Sequence, residues 1–210
     1  MNAVTGKHDF LNLKLLNNQM KFIIEHLEPE LYKWCLIEYR HISEIVDKDG
    51  AIFTSINKKD ANKLKKYGTV YEKSISELGF ERICILSQYA GKALTAKDQS
   101  KFKYFVFGGI LGDSPAKNRT NILIKNLKKH KIKFESRNLG RKQMPTDTAV
   151  YVAKRILGGK KLSDFKFVDE LKIEVNDNES VTLPFRYVVD GKKLIINEKL
   201  VEYLRKRKEF

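Results

Sequence analysis

Tyr104, Phe105, Val106 and Phe107 form an unbroken apolar run that stops at Gly108 and Gly109. A strand with one wet face alternates apolar and polar side chains, whereas a strand covered on both faces does not, and strands of the second kind belong to parallel sheets flanked by helices. The two glycines after the run let the backbone approach a ligand closely at the strand's end. The stretch continues through Ile110-Leu111-Gly112-Asp113-Ser114-Pro115 and closes in Asn118-Arg119-Thr120. A second turn of the same character, Arg137 to Val150, follows another short apolar strand.

Strand and helix patterns alternate along the rest of the chain, as a mainly parallel sheet requires. Lys21 to His26 reads as a first strand, and a helix opened near Pro29 carries Leu31, Trp34, Cys35, Ile42, Ile45 and Val46 on one side. Ala51 to Ile56 reads as a strand, and Asp60 to Lys66 and Ser74 to Leu78 as short helical pieces joined by glycines. Arg82 to Leu86 is a strand running into the polar turn Ser87 to Lys92, a first ligand loop. Thr120 caps a helix with Ile122, Leu123, Ile124 and Leu127; Ile132 to Ser136 is the next strand. Thr146 or Asp147 then opens a helix with Ala149, Val152, Ala153, Ile156 and Leu157 at helical spacing, ended by Gly158 and Gly159. Leu171 to Val175 and Val181 to Leu183 read as strands, Tyr187 to Ile196 as a hairpin about Asp190-Gly191, and Asn197 as the cap of a last helix. Parallel sheets of this kind bind ligands in the crevice at the carboxyl ends of their strands, where the glycine-containing turns fall.

A chain of 210 residues suits one well-cored domain. No apolar run approaches the ~20 residues of a membrane span. The net charge of +15 favours polyanionic surroundings such as RNA or ribosomes, although a lysine-rich solvated surface gives the same sum. Cys35 and Cys84 sit in apolar patterns without metal-ligand spacing, which is the usage of a reducing, cytoplasmic compartment. Residues 1 to 19 lack the continuous apolar core of a secretion signal and are expected to be a loosely packed or disordered extension before a single domain over 20 to 210. Gly108-Gly109-Ile110-Leu111-Gly112 has the wrong spacing for a dinucleotide fingerprint, and there is no Walker lysine motif, paired-cysteine zinc motif or Gly-x-Ser-x-Gly elbow.

Phe-Gly-Gly-Ile-Leu-Gly-Asp (Phe107 to Asp113) followed by Asn-Arg-Thr, then Leu-Gly-Arg-Lys-Gln-Met-Pro-Thr-Asp-Thr-Ala (Leu139 to Ala149) and Leu-Pro-Phe-Arg-Tyr-Val (Leu183 to Val188), resemble the SPOUT-family protein arginine methyltransferases of fungi and their archaeal relatives. The resemblance implies an α/β trefoil knot that binds S-adenosylmethionine, an arginine on the third protein of the small ribosomal subunit as acceptor, and a monomer. Methylation of ribosomal or transfer RNA, which is compatible with the charge, and a non-catalytic ribosome- or RNA-binding factor stay open as alternatives. The sequence departs from the family in its extension before Met20 and in Ser87-Gln88, where an acidic residue and a proline are expected.

With such a cofactor, the loop backbones around Gly108, Gly109, Gly112, Leu139, Gly140, Gln143 and Met144 are expected to hold adenosine and methionine, with Leu139 and Met144 against the adenine. The resemblance adds Leu86, equally readable as a plain core leucine. Thr146 and Thr148 are cofactor candidates that could be ordinary helix caps. An arginine acceptor needs carboxylates to orient its guanidinium and take up its proton. Asp113 is the first candidate, with Glu25 and Asp147 behind it; Asp147 also fits a first-turn acid. Arg119 and Arg186 are read either as substrate or cofactor contacts or as members of structural ion pairs.

Overall fold

The computed structural model describes residues 20–109, 119–176 and 179–206. Its centre is a six-stranded, wholly parallel sheet in the order β3-β2-β1-β5-β4-β6. The strands are β1 (Lys21–His26), β2 (Ala51–Thr54), β3 (Thr69–Val70), β4 (Ile83–Leu86), β5 (Tyr104–Gly109) and β6 (Phe134–Arg137). The apolar run is thus β5, paired with β1 on one side and β4 on the other. Its alternate side chains enter two cores, Phe105 and Phe107 in one and Val106 in the other. That two-sided burial is why the run has no polar position.

Helix α1 (Lys33–Val46) covers the first face, together with a later helix over Thr146–Leu157 that packs along it. Between them in sequence lie α2 (Lys58–Leu64), α3 (Asp98–Lys101) and α4 (Thr120–Lys129), and the helix over Thr146–Leu157 is therefore α5. Leu123 and Leu127 of α4 join Ile23, Ile75, Ile83, Ile85 and Val106 in the core of the second face. Beyond α5 the chain changes character. β7 (Lys166–Val168), β10 (Tyr187–Asp190) and β11 (Lys193–Leu194) form an antiparallel sheet, β8 (Leu171–Asn176) and β9 (Glu179–Leu183) a separate hairpin, and α6 (Glu198–Lys206) closes over β8 and α1. Asn197 caps α6, its Oδ1 accepting from Lys199 N at 2.9 Å, as expected.

Several boundaries differ from those read in the sequence. The first helix begins at Lys33 and not near Pro29, because Tyr32 N donates to Glu30 O at 3.0 Å and holds that segment in a turn. The strand expected at Ile132 to Ser136 is Phe134–Arg137, since Ile132 N still closes the end of α4 on Leu127 O at 3.0 Å. Thr120 is the first helical residue of α4, with Arg119 preceding it, and not its cap. The short strands β3 and β7 have no counterpart in the sequence reading. Among the described residues no helix is long and apolar enough to cross a membrane.

Candidate active site

At the carboxyl ends of β4 and β6 two loops are joined into one unit. Ser87 N donates to Arg137 O at 2.9 Å, Asn138 N to Lys92 O at 2.8 Å, and Leu94 N to Asn138 O at 2.9 Å. The side chain of Asn138 completes the clamp: its Nδ2 donates to Ala90 O at 2.8 Å, and its Oδ1 accepts from Gly140 N at 3.0 Å. Arg141 Nη1 adds a bond to Gln88 O at 3.2 Å. Leu86 and Leu139 lie nearly buried where the loops leave the sheet, and Met144 packs partly buried on the main core. Gly140 has φ +94°, a conformation that side-chain residues rarely adopt, so the second loop turns there only with glycine. Gln143 O accepts from Arg186 N at 2.8 Å, tying the far end of this loop to the approach of β10. Asn138 was not among the residues singled out in the sequence, although an asparagine just past a strand is a common turn-former.

The end of β5 lies beside these loops. A Cβ on Gly108 would sit 3.1 Å from Leu27 Cδ1, so a side chain there would have to push that methyl aside by a few tenths of an ångström. Gly109 pairs with His26 of β1. Gly112 and Asp113 lie outside the described residues. Gly108 O also accepts from Thr146 Oγ1 at 3.3 Å, which brings the N-terminus of α5 under the crevice.

Beneath that contact is a buried polar cluster. Glu38, on the inward face of α1, accepts from Thr146 N at 2.9 Å and Asp147 N at 3.4 Å. It therefore supplies the acceptor that the first turn of α5 lacks within the helix. Burial, and after it the charge of Asp147, pushes the Glu38 carboxyl well above the usual range, against the pull of the two N–H groups. Asp147 Oδ2 meets His41 Nδ1 at 2.7 Å, and its Oδ1 accepts from Thr148 N at 2.6 Å. Thr148 is accordingly engaged with Asp147. Neither Glu38 nor His41 stood out as a site residue in the sequence; the available signal was a carboxylate on the apolar stripe of α1, between Cys35 and Ile42.

Glu25 belongs to the other face of the sheet. Its oxygens accept from Thr54 Oγ1 (2.5 Å), Ser55 Oγ (2.8 Å), Ser74 Oγ (2.6 Å) and Ile75 N (3.1 Å). Four donors commit this buried carboxylate to joining β1, β2 and the 3-10 turn Ile75–Glu77. Arg119 Nη1 lies 3.1 Å from Glu28 Oε2 and 3.4 Å from Leu27 O, beside the crevice. Arg186 stacks 4.8 Å over Phe167 and bonds Asp169 Oδ1 through Nε at 2.6 Å, while Lys142 Nζ holds Oδ2 at 2.7 Å. Arg186 and then Lys142 bring the Asp169 carboxyl down to about 2. Both arginines thus stand in ion pairs, one on each flank of the loops.

Residues 21–209 match the family described as protein arginine N-methyltransferase SFM1-like. The chain belongs to the SFM1-like family. Protein arginine N-methyltransferase SFM1 of Saccharomyces cerevisiae is 36% identical over 213 residues, covering 89% of this chain and 95% of that protein. The crystal structure of the yeast arginine methyltransferase SFM1 complexed with SAM superposes with a TM-score of 0.80 at 33% identity, over 95% of this chain and 97% of the other. Its complex with SAH gives 0.78 at 34% identity, over 96% and 99%. Trm10 from Thermococcus kodakaraensis, at 19% identity and a TM-score of 0.59 over 69% of this chain and 96% of that one, shows a shared SPOUT-like fold alone. Membership in the SFM1-like family bears out the resemblance carried by the turns after β5 and β6.

Proposed function

We propose that the crevice binds S-adenosylmethionine and that the chain methylates an arginine nitrogen on a small-subunit ribosomal protein, the third of that set. The observation that carries the reading is the pair of loops locked together by Asn138 at the carboxyl ends of β4 and β6, in a chain whose SFM1 relative forms a complex with SAM. The residues present fit such a group. Leu86, Leu139 and Met144 offer an apolar wall for an adenine, and the turn at Gly140 holds main-chain groups in a fixed array. When bound, S-adenosylmethionine contributes an activated methyl group on a sulfonium, so the protein's share is orientation and electrostatics.

For the acceptor, carboxylates beside the crevice matter most. Glu28, 3.1 Å from the guanidinium of Arg119, lies at this corner, and a carboxylate there supports the reading. Asp147 and Glu38 place two carboxyl groups behind it at the N-terminus of α5. The same reading makes the protein a monomer acting in the cytoplasm, where ribosomal subunits are. A net charge of +15 also suits RNA, so RNA methylation is the second reading.

Titration calorimetry tests the cofactor half directly. Wild-type protein should bind S-adenosylmethionine with one site per chain, and Gly140→Val should lose at least ten-fold in affinity, because valine resists the positive φ that the loop needs. Equal binding by both proteins would move the cofactor away from this loop.

A further inference from the structure

The methyl acceptor of the reaction proposed above is a guanidinium, and the protein already holds one of its own at the rim of the sheet. Two turns converge there on the end of β5. Leu27 and Glu28 leave β1, whose last residue, His26, pairs with Gly109, and Arg119 leads into Thr120 at the start of α4. Leu27 Cδ1 and Thr120 Oγ1 lie 3.1 Å and 3.6 Å from where a Cβ on Gly108 would stand, so both turns touch the strand end beside the crevice. The residues next to them meet: Arg119 Nη1 donates to Leu27 O at 3.4 Å and lies 3.1 Å from Glu28 Oε2.

A guanidinium presents five N–H donors in a planar fork and accepts none, so a site for one needs a carboxylate with a further acceptor beside it. Glu28 and the Leu27 carbonyl are such a set. The side chains of Glu28 and Arg119 keep only 12% and 19% of their exposure, so the pair is largely withdrawn from water yet still open to exchange. Three other acids near the rim are committed elsewhere. Glu25 receives four donors on the opposite face, Glu38 receives the first turn of α5, and Asp147 is engaged with His41 and Thr148. Of these four carboxylates, Glu28 is the one whose partner is a guanidinium, for which an acceptor arginine substitutes like for like.

We propose that Glu28, with the Leu27 carbonyl, is the binding site for the acceptor guanidinium, and that Arg119 occupies it in the free protein as an internal stand-in that the substrate arginine displaces. This rests on the methyltransferase reading. The acceptor is then bound in exchange for Arg119, and its apparent affinity is reduced by the fraction of chains in which Glu28 is free. Substitutions at the two positions therefore act in opposite directions on acceptor binding. A purely structural ion pair behaves otherwise, because losing either member disorders the same corner.

Methyl transfer by the full chain at saturating S-adenosylmethionine, with unmethylated small ribosomal subunits as the varied substrate, tests the exchange. Glu28→Gln should raise KM for the subunits roughly ten-fold or more, since a neutral amide replaces the carboxylate. Arg119→Ala and Arg119→Gln should each lower that KM about five-fold, whereas Arg119→Lys, which keeps a cation for Glu28, should stay within about two-fold of wild type. In the Glu28→Gln background, removing Arg119 should bring no further fall. Calorimetric affinity for S-adenosylmethionine should stay within about two-fold throughout. A KM that rises or stays put in Arg119→Ala and Arg119→Gln, or one unchanged in Glu28→Gln, overturns the proposal. Loss of cofactor binding in both Arg119→Ala and Arg119→Gln overturns it too, by making the pair structural. Failure of the wild-type protein itself to transfer methyl would instead overturn the methyltransferase reading.

Discussion

Glu38 shows how one buried side chain can serve the fold and carry a pH dependence. Its folded-state pKa lies above the unfolded value, so between the two the folded chain binds more protons than the unfolded one, and stability falls as pH rises through that window. Glu38→Gln should keep the bond to Thr146 N and flatten this fall, which urea melts between pH 4 and 8 would display. Glu38→Ala should cost roughly 2–4 kcal/mol, since two buried N–H groups lose their acceptor. Asp169 has the opposite sign: its pKa is lowered to about 2, so its contribution is present above the ordinary carboxylate range and is lost as pH falls through about 2. Tyr187→Phe should leave stability unchanged or raise it by about 1 kcal/mol, because it removes a buried hydroxyl that has no protein partner. Burial pushes the thiols of Cys35 and Cys84 up to about 12, so neither should react with a disulfide reagent at pH 8 until the protein is unfolded.

At the scale of elements, the carboxyl ends of β4, β5 and β6 hold the site because α1, α4 and α5 cover the sheet's faces and leave that rim to loops. Asn138→Ala removes one side-chain hydrogen bond that joins the loops, to Ala90 O, and one within the second loop, from Gly140 N, and should destabilise the protein by about 2 kcal/mol, with a larger proportional loss in cofactor affinity, both measurable by denaturation and calorimetry. The elements legible in the sequence were those whose pattern is local. β5 declared itself by an apolar run covered on both sides, and α5 by its spacing from Ala149 to Leu157 and its closing glycines. β3 and β7 are two and three residues long, and their pairing with β2 and β10 comes from contacts distant in sequence. The two loops were legible as glycine turns, but their union through Asn138 was not, because it depends on β4 and β6 lying side by side. Likewise Glu38 and Asp147 are 109 residues apart in sequence, and nothing local couples them.

For the molecule as a whole, a parallel sheet that binds at its carboxyl rim, an acid-rich cluster beneath that rim and a net charge of +15 fit an enzyme that meets a polyanionic assembly and modifies a cationic side chain on it. Association with ribosomal subunits should therefore weaken as salt is raised from 50 to about 200 mM, while calorimetric cofactor affinity changes little. The central claim is tested most directly by incubating the protein with S-adenosylmethionine carrying a labelled methyl and purified unmethylated small ribosomal subunits, then separating protein from RNA and mapping the label by mass spectrometry. The account predicts label on one arginine of a single ribosomal protein. Label confined to RNA, or none in either fraction, would contradict it.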